Sequence, residues 1–305
     1  MRIVVAGLGV QGNKRFLHAE NDVVATVDPV NPKANYKLLK EVSLQKYDAL
    51  IISTPDEFKY ELIRFALENK KHVMVEKPLV LDSLSQFTEL QRIATSNKCF
   101  LYSAYNHRFE THFQNIESIL KKNLLGNIYS CKIFYGNGTA KLVNQSAWRD
   151  KGSGVLLDLG SHLFDTIDYW FSASEISNVL SNISRFENKS PDSANILFRM
   201  SGVQFNLEMS LCSWKNTFVC EIVGSKGSLH LNGLRKWGQS VLIHRNRKFP
   251  SGVPDEIEYI EKEGDQTWEL EYKYFISQIN NQIKTDLKKD KWIFKNLGFI
   301  YEQSA

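Results

Sequence analysis

The stretch that most constrains this chain is Val4-Val5-Ala6-Gly7-Leu8-Gly9-Val10-Gln11-Gly12, near its amino terminus. Ile3, Val4 and Val5 read as a short buried strand, and Gly7, Gly9 and Gly12 fall at G-x-G-x-x-G spacing. In that pattern the first glycine allows a tight turn out of the strand, the second lets backbone approach a pyrophosphate, and the third lets the next helix pack closely. The helix that follows points its partly positive amino end at those phosphates. Glycine triplets also occur in ordinary turns, so the context decides. A strand precedes the loop, helix-compatible residues follow it, and Asp28 lies about twenty residues downstream, where a ribose-binding carboxylate is expected. The expectation is a dinucleotide site lined by Gly7, Gly9, Val10, Gln11 and Gly12. Asp28 at the end of the second strand can accept from both adenosine ribose hydroxyls and repels an added phosphate, which favours NAD over NADP. Pro29 follows directly, so an Asp-Pro turn explains the same residue, and Lys33 and Lys37 leave room for a phosphate.

Around that loop the chain alternates strand and helix signals up to about residue 104. Strands are predicted at Arg2–Ala6, Val23–Val27, Ala49–Ser53, His72–Val75 and Cys99–Tyr102, and helices at Gln11–Ala19, Lys33–Glu41, Glu57–Asn69 and Leu84–Ser96. Short apolar strands separated by helices predict an α/β, doubly wound parallel sheet of Rossmann type, with its ligand at the carboxyl ends of the strands. Asp28, Ser53-Thr54-Pro55 and Glu76-Lys77-Pro78 all fall at those ends, beside the glycine loop. Beyond residue 105 the texture changes. Helices are predicted at Phe109–Leu124 and Gly154–Phe171, with a loop between 137 and 153. Strands are predicted at Ile128–Tyr135, Ser177–Ser184, Ala194–Met200, Val203–Leu211, Thr217–Val223 and Ser228–Leu231, with a further pair at Val241–His244 and Ile257–Ile260. Val203, Phe205, Leu207, Met209 and Leu211 alternate strictly with polar residues, the mark of a strand buried on one face. The expectation is a first domain over 1–104 and an α+β domain over 105–305 with a large open mixed or antiparallel sheet. Helices near Trp268–Ile283 and Trp292–Tyr301 close the chain, the last one packing back on the first domain.

A chain of 305 residues is longer than one hydrophobic core usually serves, in keeping with two domains. Its formal charge of +4 is mild and its lysines are scattered, so no nucleic-acid-binding face is expected. No apolar run reaches bilayer length. A first strand at residue 2 leaves no room for a leader, and four cysteines without C-x-x-C spacing fit a reduced, cytoplasmic compartment.

Two further elements carry chemistry. Lys77 closes the fourth strand, where it can hold a substrate oxygen by a charge-assisted hydrogen bond, and Pro78 restricts it to extended geometry. A strand-end lysine is otherwise a solvated surface residue. In Gly154–His162, Asp158 and His162 are four apart and share a face if the segment is helical. A histidine can take a proton near neutral pH and a neighbouring carboxylate can steady its charged form, while a buried, satisfied pair fits the same spacing. The remaining histidines show no zinc-like spacing, and no metal site is expected.

Taken in order, Gly7–Gly12, Ser53-Thr54-Pro55, Glu76-Lys77-Pro78, Asn106-His107-Arg108, Trp148-Arg149, Gly154 through Asp165 and the Gly224-Ser225-Lys226-Gly227 turn form a specific set. With them the chain resembles the Gfo/Idh/MocA oxidoreductases, the glucose-fructose oxidoreductase and inositol dehydrogenase relatives. The resemblance implies hydride transfer between a nicotinamide and a secondary hydroxyl carbon of a sugar, cyclitol or nucleotide sugar. It implies that Lys77 is the catalytic lysine, Asp158 the substrate-binding aspartate and His162 the proton-transfer residue. Ser53, Thr54, Pro55, Glu76, Trp148 and Arg149 then line the cofactor, and Asn106 and Arg108 the substrate. The glycine run before the helix departs locally, reading Lys151-Gly152-Ser153-Gly154. A homodimer or homotetramer through the second-domain sheet is expected, since closed symmetric assemblies are the rule. An NAD-dependent glycoside hydrolase or eliminase and a non-catalytic, cofactor-sensing regulator are the alternatives.

Overall fold

Five short apolar strands, β1 (Ile3–Ala6), β2 (Val23–Val27), β3 (Ala49–Ile52), β4 (His72–Glu76) and β5 (Leu101–Ala104), pair in parallel in the order β2-β1-β3-β4-β5. They belong to a computed structural model that describes residues 1–146 and 149–303. Every residue of β1, β3 and β5 is buried, because helices cover both faces of a parallel sheet. Helices α1 (Val10–Ala19), α2 (Asp56–Glu68) and α3 (Leu84–Ser96) supply crossovers between the strands. On one face Val4, Leu50, Ile52 and Val73 meet Ile63, Leu67, Phe87 and Leu90. On the other, Ile3, Val5, Ile51 and Met74 meet Ala19 and Phe275. Phe275 comes from far along the chain: this unit is Met1–Asn106 together with Thr267–Lys295.

The helix expected at Lys33–Glu41 does not form. Asn35 Oδ1 accepts from Thr26 N and Thr26 Oγ1, both at 2.9 Å, and Tyr36 exchanges backbone bonds with Thr26 and Asp28. The segment runs as an extended bridge beside β2 and makes only single turns at Leu39–Glu41 and Leu44–Lys46. A short polar side chain that offers the backbone another partner competes with helix formation, and no periodicity argument registers that. β5 also begins two residues later than the sequence suggests, at Leu101.

The second unit is His107–Gln266 with Asn296 onward. It contains helices α4 (Thr111–Lys121), α5 (Ala140–Asn144) and α6 (Ser161–Phe171) and strands β6 (Ile128–Gly136), β7 (Ile176–Ser184), β8 (Ser193–Met200) and β9 (Val203–Ser210). It continues through β10 (Thr217–Gly224), β11 (Gly227–Asn232), β12 (Ser240–Lys248) and β13 (Gly252–Glu261). The eight strands form one sheet, in the order β13-β12-β11-β10-β6-β9-β8-β7. Only β6 and β9 pair in parallel, so the sheet is mixed. α5 lies in the stretch read as a loop. Helix α7 (Thr267–Asn280) belongs to the first unit, and α8 (Lys288–Gln303) begins in the first unit and ends in the second.

β9 shows why the sheet has two unlike faces. Val203, Phe205, Leu207 and Met209 are buried, whereas Gln204 and Glu208 are exposed. The buried face carries α6: Phe164 stacks on Phe198, Phe198 on Phe205, and Phe171 meets Phe205 edge-on. A backbone of Gly160 approaches Met209 so closely that an added Cβ would lie 3.1 Å from its sulfur. Phe205→Ala removes the ring that joins both aromatic contacts. It is expected to cost about 3–5 kcal/mol of unfolding free energy in urea titration.

Candidate functional site

In the first unit the glycine loop has the geometry its spacing predicts. Gly7 has φ +88°, and a Cβ there would meet Ser53 O at 2.6 Å. A Cβ on Gly12 would lie 1.8 Å from Gly7 O, so only glycine lets α1 start this close to the strand. Gly9 faces open space, with nothing within 4 Å of its would-be Cβ. Val10 and Gln11, in the exposed first turn of α1, flank it. Ser53 Oγ and Thr54 Oγ1 close the other side, with no hydrogen-bond partner among the described residues. A clear approach to backbone over a helix amino end, next to unsatisfied hydroxyls, fits a pyrophosphate.

Asp28 sits at the end of β2 as expected, but much of its capacity is used internally. Oδ2 accepts from Leu8 N at 2.8 Å, and Oδ1 accepts from Val30 N at 2.9 Å and Asn31 N at 2.8 Å. Burial opposes its charge, yet the three backbone N–H groups and Lys37 outweigh that and hold the carboxyl below its ordinary value. An ionised carboxylate offers about four acceptor positions, so about one remains, on Oδ2.

Glu76-Lys77-Pro78 leaves β4 under tight backbone control. The Lys59 ammonium, only 2% exposed, donates to Glu76 O at 2.8 Å and to Pro78 O at 2.7 Å, and pairs with Asp56 at 2.7 Å. Burial pulls its pKa down against Asp56. The carbonyls on both sides of Lys77 are thus held by one cation. Glu76 turns inward and accepts from Arg15 Nε at 2.6 Å. Neither Lys59 nor Arg15 stands out in the sequence, because a helix lysine and a helix arginine read as solvated.

In the second unit, Asp158 lies in a π-helical turn, Leu156–Gly160, that runs into α6. Such turns inside helices recur at functional sites. Arg149 Nη2 is 3.6 Å from Asp158 Oδ2. His162, in the first turn of α6, is buried and stacks on His107 with ring centroids 4.0 Å apart and planes 15° apart. Tyr135 meets both rings from β6, at 5.5 Å and 6.0 Å, and its other side meets Trp237 at 5.7 Å. Burial raises the Tyr135 hydroxyl pKa strongly, so it stays protonated. Lys236 Nζ is 2.7 Å from His107 Nε2. Glu110, one turn beyond His107, is pushed up to about 7, mainly by burial, with Lys236 opposing and Asp265 reinforcing.

Other candidates have structural partners. The Arg108 guanidinium grips Asp165 and Asp168, each at 2.8 Å, and lies over the Tyr169 ring. That double ion pair ties the turn before α4 to α6. Asn106 Nδ2 donates to Thr267 Oγ1 at 2.8 Å, within the first unit. Pro55 is the exposed residue before α2. Trp148 lies outside the described residues. No group of three or more His, Cys, Asp or Glu among the described residues is placed to hold a metal ion. His107 was within reach of sequence reading, as the centre of Asn106-His107-Arg108. Lys236 was not, since nothing local marks a lysine that meets a ring 129 positions away.

The chain matches two family models. Residues 1–105 match an oxidoreductase family with an NAD-binding Rossmann fold, and residues 113–230 match the GFO/IDH/MocA carboxyl-terminal domain. The first unit is therefore an NAD-binding Rossmann domain. The chain as a whole belongs to the Gfo/Idh/MocA family. Among curated relatives, glucose-6-phosphate 3-dehydrogenase of Bacillus subtilis is 30% identical over 195 residues, 59% of this chain and 55% of that protein. The scyllo-inositol 2-dehydrogenase (NADP(+)) IolW of the same organism is 30% identical over 122 residues, 39% of this chain and 33% of the relative. The alignments thus span about half or less of these relatives' lengths. A solved levoglucosan dehydrogenase in complex with NADH superposes with a TM-score of 0.86 at 16% identity, covering 100% of this chain and 96% of that one. It is alike in fold.

Two expectations follow from this geometry. Gly12→Ala places a methyl group inside the Gly7 carbonyl and should abolish NADH binding by fluorescence titration. Glu110 binds its proton more tightly folded than unfolded, so its contribution to stability is complete below its ordinary value of 4.5 and is lost as pH rises through about 7. Relative to the wild type, Glu110→Gln should therefore gain on the order of 2 kcal/mol between pH 5 and pH 8 in thermal unfolding.

Proposed function

We propose that this protein is an NAD(P)-dependent dehydrogenase acting on a secondary hydroxyl of a sugar, cyclitol or nucleotide sugar. The observation that carries the reading is a buried imidazole, His162, following a carboxylate-bearing π turn, in a chain whose other unit is an NAD-binding Rossmann domain. Oxidising a secondary alcohol requires removal of the hydroxyl proton as hydride leaves the same carbon. His162 takes that proton on a ring nitrogen. Asp158 accepts a neighbouring substrate hydroxyl, and Arg149 holds its carboxylate. Lys77 donates to the reacting oxygen from a stretch of backbone whose neighbouring carbonyls Lys59 holds. The nicotinamide supplies the hydride-accepting carbon. Gly7–Gly12 hold its pyrophosphate, and the remaining Oδ2 position of Asp28 takes one ribose hydroxyl, which favours NAD over NADP.

Several features bear on the partners. Arg149, Lys77 and Lys236 bring positive charge to the proposed machinery, which suits an anionic or nucleotide-linked sugar as well as a neutral one. The open sheet face carries Gln204, Asn206 and Glu208 beside Phe134, Val219 and Lys132, and this mixed surface serves as the interface of a homodimer or homotetramer. Cys99, Cys131, Cys212 and Cys220 are all free thiols, as a reduced cytoplasmic setting requires. No described helix is long and apolar enough to cross a membrane.

The test is a screen of sugars, sugar phosphates, cyclitols and nucleotide sugars with NAD and with NADP, read by absorbance of the reduced nicotinamide. Net reduction with at least one substrate is expected, faster with NAD. His162→Ala should lower turnover at least about 100-fold while NADH binding stays within about twofold. Product formation without net reduction would indicate a hydrolase or eliminase, and intact turnover in His162→Ala would remove the histidine from the reaction.

A further inference from the structure

The ring stacked on His162 is itself titratable, and that creates a chemical difficulty. Two imidazoles stacked 4.0 Å apart interact strongly enough to take up protons as a coupled pair. A proton that settles on His107 sits one ring behind the proposed base, and its charge disfavours a second proton on His162. A catalytic pair of this kind would lose much of its basicity to the wrong ring.

Lys236 resolves the difficulty. Its ammonium has three N–H donors and no acceptor, so a contact of 2.7 Å with His107 Nε2 requires that nitrogen to accept. His107 is then neutral, with its proton on Nδ1, and cannot take a second proton while the ammonium remains. The same cation lies over the Trp237 ring at 4.7 Å, a contact that holds it in place. Phe113 and Phe218 meet His107 edge-on and seal the other sides of the ring from water.

We propose that Lys236 is a positioning residue that locks His107 in one neutral tautomer, so that the stacked pair takes up a single proton and takes it on His162. The proposal rests on His162 being the proton acceptor and adds what selects it. A neutral imidazole lying parallel to His162 supports an imidazolium there through its π face, whereas a second imidazolium would oppose it. Other charges act on the pair from every side. Asp158 and Arg149 precede His162, the Tyr135 ring packs on both imidazoles, and Lys236, Asp265 and Arg235 act on the Glu110 carboxyl. Asp158, and Glu110 once it ionises above about pH 7, favour added positive charge, and Arg149, Arg235 and the Lys236 ammonium itself oppose it. Lys236 makes direct contact with one ring nitrogen, His107 Nε2.

Two measurements test this, both on the full chain. In the first, the imidazole nitrogens of ¹⁵N-histidine-labelled protein are followed by NMR between pH 5.5 and 9. His107 should hold its proton on Nδ1 throughout in the wild type and begin to titrate in Lys236→Met. In the second, kcat/KM is followed across pH with whichever substrate the screen returns. Lys236→Met should fall about tenfold at pH 6 and less than about threefold at pH 9, because the proton is now shared. Lys236→Arg, which keeps a cationic donor, should restore the wild-type acid limb. A His107 ring in the wild type that carries its proton on Nε2, or titrates with an ordinary midpoint, overturns the proposal. So does an equal loss at every pH in Lys236→Met, which means that Lys236 serves only packing or substrate binding. Intact turnover in His162→Ala removes the proton-acceptor reading alone, and the NMR series then decides the tautomer lock by itself.

Discussion

One buried guanidinium holds the first unit together at its functional end. Arg15, 3% exposed, pairs with Glu76 at 2.6 Å and with Glu271 at 2.7 Å, and its flat face rests 4.3 Å from the Trp268 ring. Burial opposes its charge, but the two carboxylates outweigh that and raise its pKa. Burial raises the Glu271 carboxyl, which Arg15 and the Tyr102 hydroxyl hold down. This single side chain connects the helix that begins at the glycine loop, the strand end that carries Lys77, and the returning helix α7. Buried ion pairs of this kind contribute little net stability compared with apolar packing, while loss of one partner costs several kcal/mol. Their effect here is geometric. With Lys59 gripping the carbonyls beside Lys77, they tie the strand end to α1, α2 and α7.

The second unit solves a related problem with rings instead of charges. His107, His162, Tyr135, Phe113 and Phe218 pack as one aromatic cluster at the junction of the turn before α4, β6, β10 and α6. Desolvation in such a cluster makes each proton expensive to place wrongly. The few charges that touch it, Lys236 above all, therefore have more influence than they would at the surface. Arg108 shows the converse case. Its double pair with Asp165 and Asp168 uses a motif residue to anchor α6, which keeps His162 where the cluster needs it.

The parallel sheet, the glycine turn and the alternating strand β9 were all legible, because each is written in local periodicity or in a steric demand that one residue type meets. The segment around Lys33–Glu41 departs from its helical pattern because Asn35 and Tyr36 find partners on β2, and those bonds depend on where the strand lies. Asp28 was placed correctly at its strand end. The three backbone groups that fill it were not visible, since two come from its own turn and one from the glycine loop. The proposed catalytic residues Lys77, Asp158 and His162 could be named from spacing and resemblance. Their supporting groups, Lys59, Arg15, Tyr135 and Lys236, could not.

The sequence by itself determined the order of elements, the anion-binding loop and the types of residue available for chemistry. These follow from interactions between near neighbours, with glycine sterics and hydrophobic period as their signals. Only the tertiary structure decided which lysine clamps a backbone, which arginine is buried and which imidazole faces an ammonium. Those outcomes depend on desolvation and on contacts between residues up to 256 positions apart, such as Arg15 and Glu271. The loop at Gly7–Gly12 can be read one residue at a time, but the contact between His107 and Lys236 exists only once the chain has folded.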